Sequence, residues 1–251
     1  MVVVVMRTEV ARRDYRLKPT PERVRLPEFM RDLNQLTAKV VNAARGRWGE
    51  VWDGDQPHVM RLLGERAVVE ACAYVLGNPV KAGLVAHGRE WPGFRTTPNG
   101  IGRVERFARP EAFFRADGEM PEEATLELAS PPGVDASRFA RALAARVEVV
   151  EAAARKAVRD AGRAFAGVRR ILGTPWAQTA VTAETRREPK PKVAADDGET
   201  KKAYLGWLAE FRTAYATALE RYLAGERGVL FPLGTYGMRR RFGVRCRRPP
   251  R

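Results

Sequence analysis

The apolar positions of this chain follow a helical period over most of its length and alternate over two short stretches. Leu26, Phe29 or Met30, Leu33, Leu36, Val40 and Ala44 mark one side of an amphipathic helix that Pro27 opens and Gly46 stops. That side is expected to pack on a sheet or another helix. Val68, Val69, Cys72, Val75 and Leu76 share one side of a second helix. At about 100° per residue, Tyr74 points roughly 160° away from the centre of that side. Asn78 lies one turn further on, so its amide shares a face with the phenol. Pro79 is expected to end this helix, and Gly83 supplies a second break. Arg103 to Phe107 and Ala124 to Leu128 alternate apolar and polar residues and predict a pair of antiparallel strands, with an Asp117-Gly118 turn between them.

Further along, Asp135 is a suitable N-cap for a long helix to about Ala161, on which Phe139, Leu143, Val147, Val150 and Ala154 keep the period. Gly162 separates it from a shorter helix carrying Phe165, Val168, Ile171 and Leu172. The two form either an αα-hairpin or a DNA-reading pair whose phosphate contacts would be Arg163, Arg169 and Arg170. Residues 173–200, with Pro175, Pro189, Pro191 and Gly198, read as a linker. A last strong helix runs from about Lys201 to Ala224, with Leu205, Leu208, Phe211, Tyr215, Leu219 and Tyr222 or Leu223 on its buried side. Short strands are expected at Val229 to Phe231 and Gly243 to Cys246, and Val2 to Val5 could form another. The organisation predicted is an arm over 1–24, a unit over 25–130, helices over 131–172, the linker over 173–200, and a helix with a basic tail over 201–251. The fold class is α+β, mainly helical.

Charge narrows the partner. Lys and Arg total 45 against 30 acidic residues, a formal net charge of +15. Such an excess favours a polyanion, nucleic acid first. Arg239, Arg240, Arg241, Arg245, Arg247, Arg248 and Arg251 crowd the tail, with no carboxylate after Glu226. They form either a trap for a phosphate backbone or a solvated end. Trp48 and Trp52, beside Gly49 and Gly54, could stack on bases or plug the edge of a small core. Cys72 and Cys246 form no C-x-x-C pair, so neither a zinc ribbon nor a disulfide framework is expected, and a reducing cytoplasm fits. No apolar run approaches the ~20 residues that span a bilayer, and Val2 to Val5 is too short for a signal-peptide core. No P-loop, GxSxG, HExxH or kinase signature is present.

One ordered motif speaks to chemistry. On spacing alone, Tyr74 and Asn78 are either a reactive pair or a half-exposed phenol over a hydrophobic patch with an amide at the helix end. The run Tyr74-Val75-x-x-Asn78-Pro79-Val80-Lys81-Ala82-Gly83-Leu84-Val85, followed by Trp91-Pro92, resembles the tyrosine-helix motif of the single-tyrosine HUH transposases, in the REP-associated branch. The resemblance extends from about Leu26 to Gly100, and Phe231-Pro232-x-Gly234-Thr235-Tyr236 is similar to longer members of that branch. It implies a ferredoxin-like catalytic domain followed by a helical C-terminal region, acting in DNA transposition on single-stranded or hairpin DNA. Tyr74 would be the nucleophile that joins the 5′ phosphate and frees a 3′ hydroxyl. Asn78 would be one ligand of a divalent cation, magnesium or manganese, and Lys81 would contact nucleic acid. Relatives are monomers or dimers by branch, so a homodimer is one state the resemblance allows.

The resemblance also implies a His-hydrophobic-His strand shortly before the segment 25–34, and residues 1–24 contain no histidine. His58 and His87 are the only imidazoles, and neither lies in a His-x-His pair. The expectation is therefore a truncated or rearranged transposase that binds DNA, holds no tight metal, and has an incomplete catalytic centre. The competing expectation is a nucleic-acid-binding protein without chemistry.

Overall fold

The computed structural model describes residues 26–52, 60–110, 114, 117–118, 120–131, 133–175 and 193–247. The expected strand at Val2 to Val5, the connector around His58, Arg248 and Arg251 lie outside the described residues. In chain order the elements are α1 (Leu26–Arg45), β1 (Arg61–Leu63), α2 (Glu65–Lys81), β2 (Val104–Ala108), β3 (Glu123–Glu127), α3 (Ala136–Asp160), α4 (Gly167–Gly173), β4 (Val193–Ala195), α5 (Gly198–Leu223), β5 (Leu230–Phe231), α6 (Tyr236–Phe242) and β6 (Arg245–Cys246). The fold is α+β and mainly helical. Its described strands form three separate two-stranded pieces: β1 with β4, β2 with β3, and β5 with β6. The described residues divide into two compact units, one within 60–109 and 121–197, the other within 26–52, 110–120 and 198–247.

The first unit is built on α2 and α3. Small residues let the two helices approach closely: Ala71, Cys72, Ala73 and Gly77 are buried on α2. A side-chain carbon at Gly77 would stand 2.6 Å from Val150 Cγ1. Phe139, Leu143 and Val147 of α3 pack against Val69, Cys72, Ala73 and Ile101. Asp135 caps α3 as expected, its carboxylate accepting from the Arg138 N–H at 2.8 Å. The Ser137 hydroxyl and the Arg138 N–H hold that carboxyl below the usual range. Strands β2 and β3 pair antiparallel, with Arg106 opposite Thr125, as their alternation predicts.

Pro79 does not end α2. The helix runs two residues beyond it to Lys81, and the Ala82 N–H still bonds the Asn78 carbonyl at 2.9 Å. Gly83 is the stop. Its φ of +75° allows the Gly83 N–H to reach the Val80 carbonyl and the Leu84 N–H to reach the Pro79 carbonyl, both at 2.9 Å, a Schellman closure. The N-terminus of α2 is capped from a distant part of the chain. Asp196 accepts from the Ala67 N–H at 2.6 Å and the Arg66 N–H at 3.2 Å. Val193–Ala195, inside the stretch read as linker, forms β4 and pairs parallel with β1, which brings Asp196 there. Gly64 makes room: a side-chain carbon at its φ of +101° would stand 2.2 Å from the Asp196 carboxyl.

The second unit contains α1, α5, β5, α6 and β6. The expectation that α1 packs by its apolar side is corrected: Leu33, Leu36 and Val40 are exposed. The chain folds back beside this helix through Trp52 Nε1, which donates to the Asn34 carbonyl at 2.9 Å, and Asn42 Nδ2, which donates to the Gly49 carbonyl at 2.9 Å. The expectation for α5 holds only for its second half. There Tyr215, Ala218, Leu219 and Tyr222 pack on Val229, Phe231 and Val244. Leu205, expected to be buried, is exposed. Periodicity identifies the apolar side of a helix and is silent on what covers it.

Candidate nucleic-acid interface

Tyr74, Asn78 and Lys81 stand on α2 four and three residues apart, so they share one face. Tyr74 is 43% exposed, about 200° round the helix from buried Cys72. Lys81 Nζ sits 4.7 Å from the centre of the Tyr74 ring, a cation–π contact. Asn78 is half-buried. Small buried residues seat α2 on α3, and the exposed strip beside them carries the phenol, the half-buried amide and the ammonium.

The histidines do not join it. His58 lies outside the described residues. His87 follows the Gly83 turn and holds the segment after α2 in place. Its Nδ1 is 3.2 Å from Arg155 Nη1. A guanidinium only donates, so Nδ1 accepts and is committed to Arg155. Glu151, buried on α3, gathers this segment. It accepts from the Gly88 N–H at 3.2 Å and Arg95 Nη2 at 3.2 Å, and lies 3.5 Å from Arg155 Nη1. Beside this network is an open cleft of about 370 Å³ lined by His87, Arg89, Arg95, Asn99, Glu148 and Glu151. Sequence reading missed the whole network, because a single Glu on the apolar side of a helix carries no local signal of its partners.

Among the described residues no three His, Cys, Asp or Glu side chains come together as a metal-binding set. The donor set around Asn78 does not fit a divalent cation as it stands. An amide oxygen is a weak single donor, and the Lys81 ammonium over the Tyr74 ring brings positive charge to the same helix face.

The arginines named from the tail belong to the second unit. Arg239, Arg240 and Arg241 lie on α6 and, with Arg245 and Arg247 on and beside β6, are exposed. Arg248 lies outside the described residues. Arg227 places its guanidinium 5.2 Å from the centre of the Tyr222 ring. No helix among the described residues is long and apolar enough to cross a membrane.

Compared with known proteins, the chain matches no family model, no curated protein and no solved structure.

Proposed function

We propose that this chain is a transposase-type DNA-binding protein, descended from the single-tyrosine HUH transposases, that engages single-stranded or hairpin DNA without completing the cleavage chemistry. The ordered run from Tyr74 to Val85 carries this reading, supported by the exposure of Tyr74 on the side of α2 away from its core. In a complete enzyme of this type the phenol oxygen attacks the scissile phosphate, becomes the 5′-phosphotyrosine, and releases a 3′ hydroxyl. Here Tyr74 has one amide and one ammonium beside it on the helix face, and the His87 Nδ1 is occupied by Arg155. A phenol nucleophile is activated by an adjacent general base, and neither the amide nor the ammonium is one. The role proposed for Lys81 and for Arg239, Arg240, Arg241, Arg245, Arg247 and Arg248 is phosphate contact. The ferredoxin-like ancestry of the first unit belongs to the same proposal, with β2 and β3 as one hairpin of that sheet. Two free thiols suit a reducing, cytoplasmic setting. A homodimer is the assembly to test by light scattering.

A second reading is a nucleic-acid-binding protein of other descent. The net charge of +15 and the carboxylate-free arginine tail favour it independently of the tyrosine motif.

The test is incubation with labelled hairpin DNA and magnesium or manganese, resolved on native and denaturing gels. A shift on the native gel with no species surviving denaturation is expected. A covalent adduct lost in Tyr74→Phe would show a complete enzyme; no shift at low salt would remove both readings.

A further inference from the structure

The chain covers one side of α1 and leaves the more apolar side bare. Residues 46–52 fold back over the helix, where Asn42 Nδ2 donates to the Gly49 carbonyl and Trp52 Nε1 to the Asn34 carbonyl. Asn34, Ala38, Val41 and Asn42 are half-buried. Leu33, Leu36 and Val40 are 41%, 37% and 43% exposed, with Ala43 exposed beside them. At about 100° per residue the two groups lie on opposite sides of the helix. Leu33, Leu36 and Val40 join none of the hydrophobic clusters of the described residues.

The spacing of the bare side is that of a two-stranded coil. Leu33, Leu36, Val40 and Ala43 follow one another in steps of three, four and three, and in sequence Leu26 and Phe29 extend the series one heptad back. That is a 3.5-residue period, the narrow seam that two helices bury between them, rather than the broader stripe a helix presents to a globular core. α1 is 20 residues long, about three heptads.

Charge selects the occupant and its direction. Asp32 and Lys39 are one heptad apart on the same flank of the seam. Two copies of α1 running antiparallel about a two-fold axis set Leu33 against Leu36 of the second copy. That register also sets Asp32 against Lys39 of the second copy, and the symmetry repeats the pair. A parallel arrangement sets Asp32 against Thr37 and Lys39 against Ala44, with no charge match. The other flank carries Met30, Thr37 and Ala44, which repel nothing in either direction. The contact of Arg31 with Asp32 at 3.0 Å is an exposed pair between neighbours, and such pairs exchange at little cost.

We propose that a second copy of this chain docks antiparallel on α1, burying Leu33, Leu36, Val40 and Ala43 and forming two Asp32–Lys39 ion pairs across the seam. This gives the homodimer named above its interface and is independent of the DNA reading.

The experiment is sedimentation equilibrium of the full chain at graded concentration, without DNA, on wild type, Leu36→Asp, Asp32→Lys, Lys39→Asp and the double swap Asp32→Lys/Lys39→Asp. Thermal melts establish that each variant folds. For wild type, a mass rising with concentration from one chain to two is expected. Leu36→Asp is expected to raise the dissociation constant roughly a hundredfold, because it buries an unpaired charge in the seam. Each single charge reversal is expected to raise it roughly tenfold, and the double swap to restore it. A wild type that stays monomeric overturns the proposal, as does a dimer indifferent to Leu36→Asp. A double swap as weak as the single reversals overturns the antiparallel register. A monomeric wild type whose melting temperature falls on Leu36→Asp gives the face to another segment of the same chain and overturns the second copy. The readout is mass alone, so failure here leaves the DNA reading standing, and loss of DNA binding leaves the seam standing.

Discussion

Lys81 holds its ammonium 4.7 Å from the centre of the Tyr74 ring, one face of α2 joining the phenol to a cation. The contact uses the ring and not the hydroxyl. Tyr74→Phe keeps the ring and is expected to change stability by less than about 0.5 kcal/mol, as for other exposed sites. Urea unfolding of the two proteins checks this. The change is then a clean probe of the phenol oxygen in any DNA assay. Lys81→Ala is expected to cost about 0.5 kcal/mol and to weaken DNA binding.

Glu151 is the residue whose loss should damage the first unit most. Its buried carboxylate answers Arg95, Arg155 and the Gly88 N–H together. Glu151→Ala leaves the Arg95 guanidinium without its counter-charge, while Arg155 keeps Glu148 at 2.7 Å, and is expected to cost about 3 kcal/mol in denaturant unfolding. Glu151→Gln keeps the acceptor oxygen and should fall between the two.

Cys72 gives a pH dependence with a defined sign. Burial pushes its thiol up from an ordinary 9.0 to about 11. The folded chain keeps this proton where the unfolded chain releases it, so the folded state binds more protons between those values. Its contribution to stability is full below pH 9.0 and declines as pH rises toward about 11. The difference between wild type and Cys72→Ala is expected to shrink by roughly 2 kcal/mol across that window. Equilibrium unfolding at stepped pH values checks it. Below pH 9, iodoacetamide should modify Cys246 well before Cys72.

Asp196 caps α2 across a gap in sequence of more than a hundred residues. Asp196→Ala is expected to cost about 1 kcal/mol and to increase amide exchange at Arg66 and Ala67 ahead of the rest of α2. Gly83→Ala, in open space but at φ +75°, should cost about 1 kcal/mol through backbone strain alone.

What the sequence discloses here is what is local. Asp135 announces its helix because its carboxylate bonds a backbone N–H three residues on. The β2–β3 pair is visible in its own alternation, and the outward direction of Tyr74 follows from the small, buried residues around it. Pro79 misleads because a proline in the last turn removes one bond while the left-handed Gly83 supplies the actual closure. Strands β1 and β4 are three residues each, too short for a period, and they exist only by pairing with one another. Glu151 and His87 are invisible for the same reason: their partners come from elsewhere in the chain. On α5 the period locates the rings, and only the fold distinguishes the anchored half from the bare one.

The most direct measurement is the affinity of the full chain for labelled single-stranded DNA as a function of salt. If the exposed arginines of the second unit bind phosphate, binding is tight at low salt and its logarithm falls linearly with the logarithm of salt concentration, with a slope reduced in Arg239→Ala/Arg240→Ala/Arg241→Ala. Absence of binding at low salt, or binding indifferent to salt and to those arginines, would contradict it.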